Sequence, residues 1–260
     1  MKKEIESLFD LTGKVAVVTG GGDGIGKGVS MTLAAAGASV VVSSRTFEKA
    51  KMTAEEIERA GGRAVAVSCN VLNKEDLTEL IEFAVKTYGT VNILVNNAGG
   101  GGGGRENPFD IDRDYVERIY AMNVFAPWQL CKLAAPHMHR SGYGSIVNIT
   151  SMSSINNDPG MAIYGSSKAA LNHMASNLAY DYGSMGIRIN CVGPGATRTH
   201  ALSTVLTPDI ESKMLVHTPI RRLGEVSDIA GAVLYLASPI SSWVSGQVLM
   251  VNGGGVQTLD

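Results

Sequence analysis

Three side chains in one short stretch could pass a proton between them. Ser151, Tyr164 and Lys168 lie in SMSSINNDPGMAIYGSSK, the tyrosine thirteen residues after the serine and the lysine four beyond it. After Pro159, the residues Ala162, Ala169, Ala170, Leu171, Met174 and Ala175 recur at a spacing of roughly 3.6, which predicts a helix. On a helix, positions i and i+4 share one face, one turn apart, so Lys168 can reach the Tyr164 phenol. A free phenol titrates near ~10, and a cation within a few ångströms lowers that by roughly 1–3 units. Tyr164 could then exchange a proton near neutral pH, as general acid–base catalysis requires. Many ordinary helices carry a tyrosine and a lysine at this spacing, so the rest of the chain must decide.

The elements that would position these residues alternate regularly. Short apolar runs at 14–19, 40–43, 64–68, 93–95, 145–149, 188–192 and 247–251 read as strands. Helical patterns lie between them, at 29–36, 48–60, 75–88, in one long run at 115–140, in the Tyr164 helix and at 227–237, the last capped by Ser227. The strands are apolar throughout, as in a parallel sheet covered on both faces. The expected fold is α/β: a Rossmann-type, doubly wound, seven-stranded parallel sheet with helices on both faces, in a single domain over 1–260 with 1–10 as a loosely held extension.

Composition excludes several function classes. A chain of 260 residues with 45% apolar and 18% charged residues can bury a large core and is not disordered. The formal charge of −2 gives no basic footprint for nucleic acid. Cys69, Cys131 and Cys191 are odd in number and far apart, so they read as buried thiols of a reducing compartment. His137 and His139 fall on different faces of any helix, and no metal site is expected. The first ten residues lack the apolar core of a signal peptide. No apolar run approaches the ~18–20 residues that cross a bilayer, which points to the cytoplasm.

In a doubly wound sheet the ligand lies beyond the carboxyl ends of the strands. Gly20, Gly24 and Gly26 follow the first strand and open the first helix, where bare backbone can approach a pyrophosphate. Gly21–Lys27 also fits most of a P-loop, but Gly28 stands where a magnesium-holding Ser or Thr is needed. Taken together, TGGGDGIG (Thr19–Gly26), NNAG (Asn96–Gly99), Asn123, Ser151, Tyr-x-x-x-Lys at 164–168 and Pro194–Gly195 resemble the motif set of the short-chain dehydrogenase/reductase family, in that family's order and over almost the whole chain. NNAGGGG, NITSM, HTPIRRLG (His217–Gly224) and SWVSGQ with GGGVQ are similar to the family's bacterial hydroxysteroid-oxidising branch.

That resemblance implies an NAD(P)-dependent interconversion of a secondary alcohol and a ketone. Tyr164 would move the proton, Lys168 would lower its pKa and bind the nicotinamide ribose, Ser151 would hold the substrate oxygen, and Asn123 would bind a water linking Lys168 to solvent. Gly20, Gly24, Ile25, Gly26, Asn97, Ala98, Gly99, Pro194, Gly195, Thr197 and Thr199 would contact the cofactor. Ser44 and Arg45 stand at the end of the second strand, where NAD-preferring relatives carry an acidic residue, so NADP(H) is expected over NAD(H). Asp23 argues the other way, since many NADP-binding relatives are basic there. Asn70 and Val71 would meet the adenine.

Asn156 is expected to face the substrate beside Ser151 and Tyr164. The 196–217 segment would cover it with Ala201, Leu202, Val205, Leu206 and Met214, opposite the small residues Gly100–Gly104. This suits a large rigid substrate, and the branch resemblance implies the 7α-hydroxyl of a bile acid. Reduction of an oxoacyl thioester on acyl carrier protein, another alcohol or sugar, and an inactive cofactor-sensing scaffold are the alternatives. The family also implies a homotetramer, expected through Ala134, Ala135, Ala170, Ala175 and Ala179.

Overall fold

The computed structural model describes residues 2–101, 106–157, 159–204 and 206–255. Seven parallel strands form one sheet: β1 (Val15–Thr19), β2 (Ser39–Ser44), β3 (Arg63–Ser68), β4 (Ile93–Asn96), β5 (Gly144–Ile149), β6 (Ile187–Pro194) and β7 (Val248–Val251). Their order across the sheet is β3-β2-β1-β4-β5-β6-β7. The helices are α1 (Lys2–Phe9), α2 (Gly24–Ala35), α3 (Phe47–Arg59), α4 (Lys74–Tyr88), α5 (Arg113–Tyr120), α6 (Ala126–Ser141), α7 (Ala162–Gly183), α8 (His200–Ser203), α9 (Pro208–Leu215) and α10 (Val226–Ala237).

Every residue of β1 is buried because both of its faces are covered. Ala16 and Val18 pack with Val29 and Leu33 of α2, Ile57 of α3 and Val233 of α10. Val17 points the other way, into a second core with Leu80 of α4, Leu130 of α6 and Ala175 of α7. Full burial of Leu80 or Leu130 contributes on the order of 1.5–3 kcal/mol each. The chain builds β1 to β3 outward on one side and then crosses to β4 on the other. The carboxyl ends of β1 and β4 therefore flank a crevice, the usual ligand position in such sheets.

Two expectations about helices are corrected. The long helix expected over 115–140 is broken by a π-helical turn at Ala121–Phe125. Pro127 is the reason: it has no N–H for the carbonyl four residues back, at Asn123, and its ring crowds that carbonyl. Ser227 does not cap α10; Glu225 does, in a reciprocal box where Asp228 Oδ2 accepts from the Glu225 N–H at 2.7 Å. A short parallel ladder joins Thr197–Arg198 to Gly224–Glu225 and ties the end of β6 to the start of α10.

Candidate active site

The turn after β1 is shaped by what its glycines omit. Gly20 has φ 64° and Gly24 φ 49°, both left-handed. A Cβ on Gly26 would strike the Gly20 carbonyl and the Asn97 amide, so α2 can start this close to the strand only with glycine there. Asn97, just after β4, donates from Nδ2 to the carbonyls of Thr19 at 2.9 Å and Gly20 at 3.2 Å. The Thr19 hydroxyl accepts from the backbone N–H groups of Asn97 at 3.1 Å and Ala98 at 3.0 Å. Asn97 and Ala98 thus lock the two sides of the crevice together. Asp23 caps α2 through the Gly24 N–H at 2.8 Å, and its other oxygen pairs with Lys49 at 2.7 Å. The Lys49 ammonium holds the Asp23 carboxyl below the usual carboxylate range.

Strand β5 and helix α7 bring up the three residues expected to handle a proton. Ser151 follows β5, and its Oγ accepts from the Ser153 N–H at 3.1 Å, which leaves the hydroxyl hydrogen free to donate. Lys168 is 4% exposed, and its Nζ donates to the Ile149 carbonyl at 2.9 Å. Burial pulls its pKa from 10.5 down to about 8. Nζ lies 5.9 Å from the centre of the Tyr164 ring, on the one helix face the spacing predicts.

Asn123, within the π turn, is buried behind this pair. Its Nδ2 donates to the Gly100 carbonyl at 3.0 Å and to Ser167 Oγ at 2.9 Å, while Oδ1 accepts from the Gly100 N–H at 3.1 Å. A Cβ on Gly99 would fall 2.9 Å from Asn123 Oδ1 and 3.0 Å from Lys168 Nζ. The bare glycine keeps open the gap between those two groups. A Cβ on Gly101 would fall 2.7 Å from Cδ2 of Tyr164. Backbone therefore packs directly on the ring.

One cleft of about 440 Å³ gathers Gly24, Ile25, Gly26, Asn97, Gly99, Ser151, Tyr164, Lys168, Pro194, Gly195, Thr197 and Thr199. Gly100, expected among the small residues on the substrate side, also lines it, as do Ile149 and Thr150, which no motif marks in the sequence. Ser44, Arg45, Asn70 and Val71 stand outside the cleft lining, at the carboxyl ends of β2 and β3. The Gly21 N–H donates to the Ser43 carbonyl at 2.8 Å, which sets those ends beside the glycine turn. Asn70 Oδ1 already accepts from the Leu72 N–H at 3.2 Å.

Asn156 does not line this cleft. It lines a separate depression with Ser153, Ile155 and Met161, because the short 3₁₀ turn Met152–Ser154 redirects the chain after Ser151. In the 196–217 segment, Thr197 and Thr199 reach the cleft, but Leu202, Leu206 and Met214 do not line it. Helix α9 there buries no residue. Val205, the Ala201 side chain and Gly102–Gly104 lie outside the described residues.

Glu106 is a residue the motifs did not reveal. It is 8% exposed, and its carboxylate accepts from the backbone N–H groups of Ile163 at 2.7 Å and Tyr164 at 3.1 Å. A charged residue in a polar stretch gives no sequence signal of burial; only the fold brings it to α7.

The cleft fits a nicotinamide dinucleotide in its chemistry: a glycine cradle at a helix start for the pyrophosphate, and a buried cation beside a phenol and a hydroxyl at the far end. Residues 20–255 match the family model described as enoyl-(acyl carrier protein) reductase. The chain is 50% identical over 250 residues to the 7α-hydroxysteroid dehydrogenase of Escherichia coli K12, covering 96% of this chain and 97% of that protein. It is 38% identical over 245 residues to the 7α-hydroxysteroid dehydrogenase of Clostridium sardiniense, with 94% of each covered. A solved structure of 7α-hydroxysteroid dehydrogenase complexed with NADH and 7-oxo glycochenodeoxycholic acid superposes with a TM-score of 0.92 at 49% identity, covering 98% of both chains.

Proposed function

The chain belongs to the short-chain dehydrogenase/reductase family, and on that premise we infer that it interconverts the 7α-hydroxyl and the 7-ketone of a bile acid. Interconversion of an alcohol and a ketone with a nicotinamide cofactor is the family's reaction. The observation that carries the substrate is the 50% identity over 96% of the chain to an enzyme named for it.

When bound, the nicotinamide supplies or accepts the hydride. The chain's own residues do the rest. Ser151, with its Oγ held by the Ser153 N–H, donates its hydroxyl hydrogen to the substrate oxygen, where charge develops. Tyr164 moves the proton to or from that oxygen. Lys168, buried with no carboxylate partner among the described residues, stabilises negative charge on the phenol. Asn123 keeps one lone pair of Oδ1 for a water that relays protons across the gap at Gly99. Gly20, Gly24 and Gly26 cradle the pyrophosphate, and Gly195, Thr197 and Thr199 hold the nicotinamide end.

For the cofactor we favour NADP(H). Arg45 is exposed and enters no ion pair or hydrogen bond among the described residues, so it is available to a 2′-phosphate. Asp23, the nearby repulsive charge, is paired with Lys49. The alternative, thioester reduction on an acidic carrier, wants a basic rim. Of Arg198, Arg221 and Arg222, the first is paired with Glu211 at 2.8 Å and the third with Asp228 at 2.6 Å, which leaves the exposed Arg221 alone of the three to meet an acidic carrier and argues against it.

The test compares cholate with its 7β epimer and with acetoacetyl thioesters, each with both cofactors. Selective oxidation of the 7α alcohol is expected. Faster turnover of a thioester, or equal rates on the two epimers, would leave only the family reaction standing.

A further inference from the structure

Helix α7 carries the proton donor, yet its own cap does not hold it: Met161 makes no side-chain hydrogen bond at the helix start. The first turn of a helix leaves N–H groups unpaired, and its positive end favours an anion. Here those needs are met from 57 residues upstream, by Glu106. One oxygen of its carboxylate accepts from the Ile163 N–H at 2.7 Å; the other accepts from the Tyr164 N–H at 3.1 Å and from the Tyr115 hydroxyl at 2.8 Å. The Glu106 N–H itself donates to the Gly160 carbonyl at 2.7 Å. Three hydrogen bonds therefore hold the buried carboxylate, two of them from the start of α7 and one of these from the backbone of Tyr164, and a fourth ties the Glu106 backbone to Gly160.

We propose that Glu106 is a positioning residue for the reaction: a cap supplied from the β4–α5 connection that sets where the Tyr164 hydroxyl stands. The inference rests on the reading of Tyr164 as proton donor. The same connection places the Gly101 backbone against the Tyr164 ring, so the phenol is bounded by one segment at both its backbone and its ring. Tyr115, from α5, aims the carboxylate. A displaced phenol loses its alignment with the substrate oxygen, while the glycine turn that binds the pyrophosphate lies on the other side of the cleft and is untouched.

The experiment uses the full-length protein with cholate and NADP, and compares Glu106→Ala, Glu106→Gln, Tyr115→Phe and Tyr164→Phe. In Glu106→Ala, kcat per folded molecule is expected to fall about tenfold or more, as misplacement of a reacting group predicts, with the Kd of NADP unchanged. Glu106→Gln keeps a single carbonyl acceptor and should fall between. A second readout needs no substrate: hydrogen exchange at the Ile163 and Tyr164 amides should quicken in Glu106→Ala. A kcat within twofold of wild type, even with a lowered Tm, would make Glu106 a structural cap only and overturn the proposal. Unchanged exchange at the two amides would overturn it as well. If Glu106→Ala does not fold, Tyr115→Phe decides: a reduced kcat supports the proposal and a wild-type kcat refutes it. Tyr164→Phe separates the two failures. Turnover retained there sinks the proton-donor reading itself, whereas turnover lost there but kept in the Glu106 variants sinks only the positioning role.

Discussion

Lys168 shows how much a single buried residue can report. Burial holds its pKa at about 8 against 10.5 when solvated. Between those values the unfolded chain still carries the proton that the folded chain has shed, so raising the pH favours the folded state. We expect the urea-unfolding stability of the cofactor-free protein, relative to Lys168→Met, to rise on going from pH 8 to pH 10.5 and to be flat below that window. A difference that stays flat over that range and falls only above pH 10.5 would show the lysine to be charged and stabilised in the fold. Arg45 gives a second test. A charged hydrogen bond to a phosphate is worth ~1.5–3 kcal/mol, so Arg45→Ala should weaken NADP roughly ten- to a hundredfold and leave NAD nearly unchanged. Equal weakening of both, or a wild-type preference for NAD, removes the proposed role. Tyr164 and Lys168 were legible in the sequence because one helical turn joins them. Glu106 was not, because nothing local ties it to a helix that begins dozens of residues later.

At the scale of elements, the strand pattern carried most of the architecture: consecutive apolar residues such as Val15–Val18 can only be buried on both faces. The glycine turn was legible for the same local reason. Gly26→Ala makes the point testable, since its Cβ would meet the Gly20 carbonyl, which is backbone and cannot swing aside. We expect a loss of ~1–3 kcal/mol in stability and a cofactor affinity reduced in calorimetry; unchanged affinity would mean that the turn does not cradle the pyrophosphate. The long helix was misread because apolar periodicity runs straight through Pro127, whose effect is on the carbonyl of Asn123 and not on the pattern. Asn156, expected beside Ser151, lines a depression of its own beyond the 3₁₀ turn at Met152–Ser154, a turn no local pattern marks.

At the scale of the molecule, four of the five alanines expected between subunits face inward, and Ala170 is half-buried. Ala134, Ala135, Ala175 and Ala179 are buried in the chain's own second core. What the surface offers instead is aromatic: Trp243 is 98% exposed, Phe109 94%, Tyr180 90% and Phe125 59%. Strand β7 is also an open edge, with Val248 and Leu249 partly exposed. Single apolar side chains on a surface are ordinary, but several large exposed aromatics and an open strand edge suit contacts with further copies. We expect light scattering at micromolar concentration to give four times the chain mass of 27.3 kDa; a monomer refutes the tetramer. The joint between Glu106 and the start of α7 bears on how such an enzyme could be re-engineered. Under the role proposed for Glu106, exchanging the β4–α5 connection for that of another dehydrogenase, a natural way to graft a new substrate preference, would also transplant or delete the anchor of the helix that carries Tyr164. A chimaera lacking a carboxylate at position 106 would inherit the donor's pocket wall together with a tyrosine out of register, and its poor activity would be mistaken for poor substrate fit.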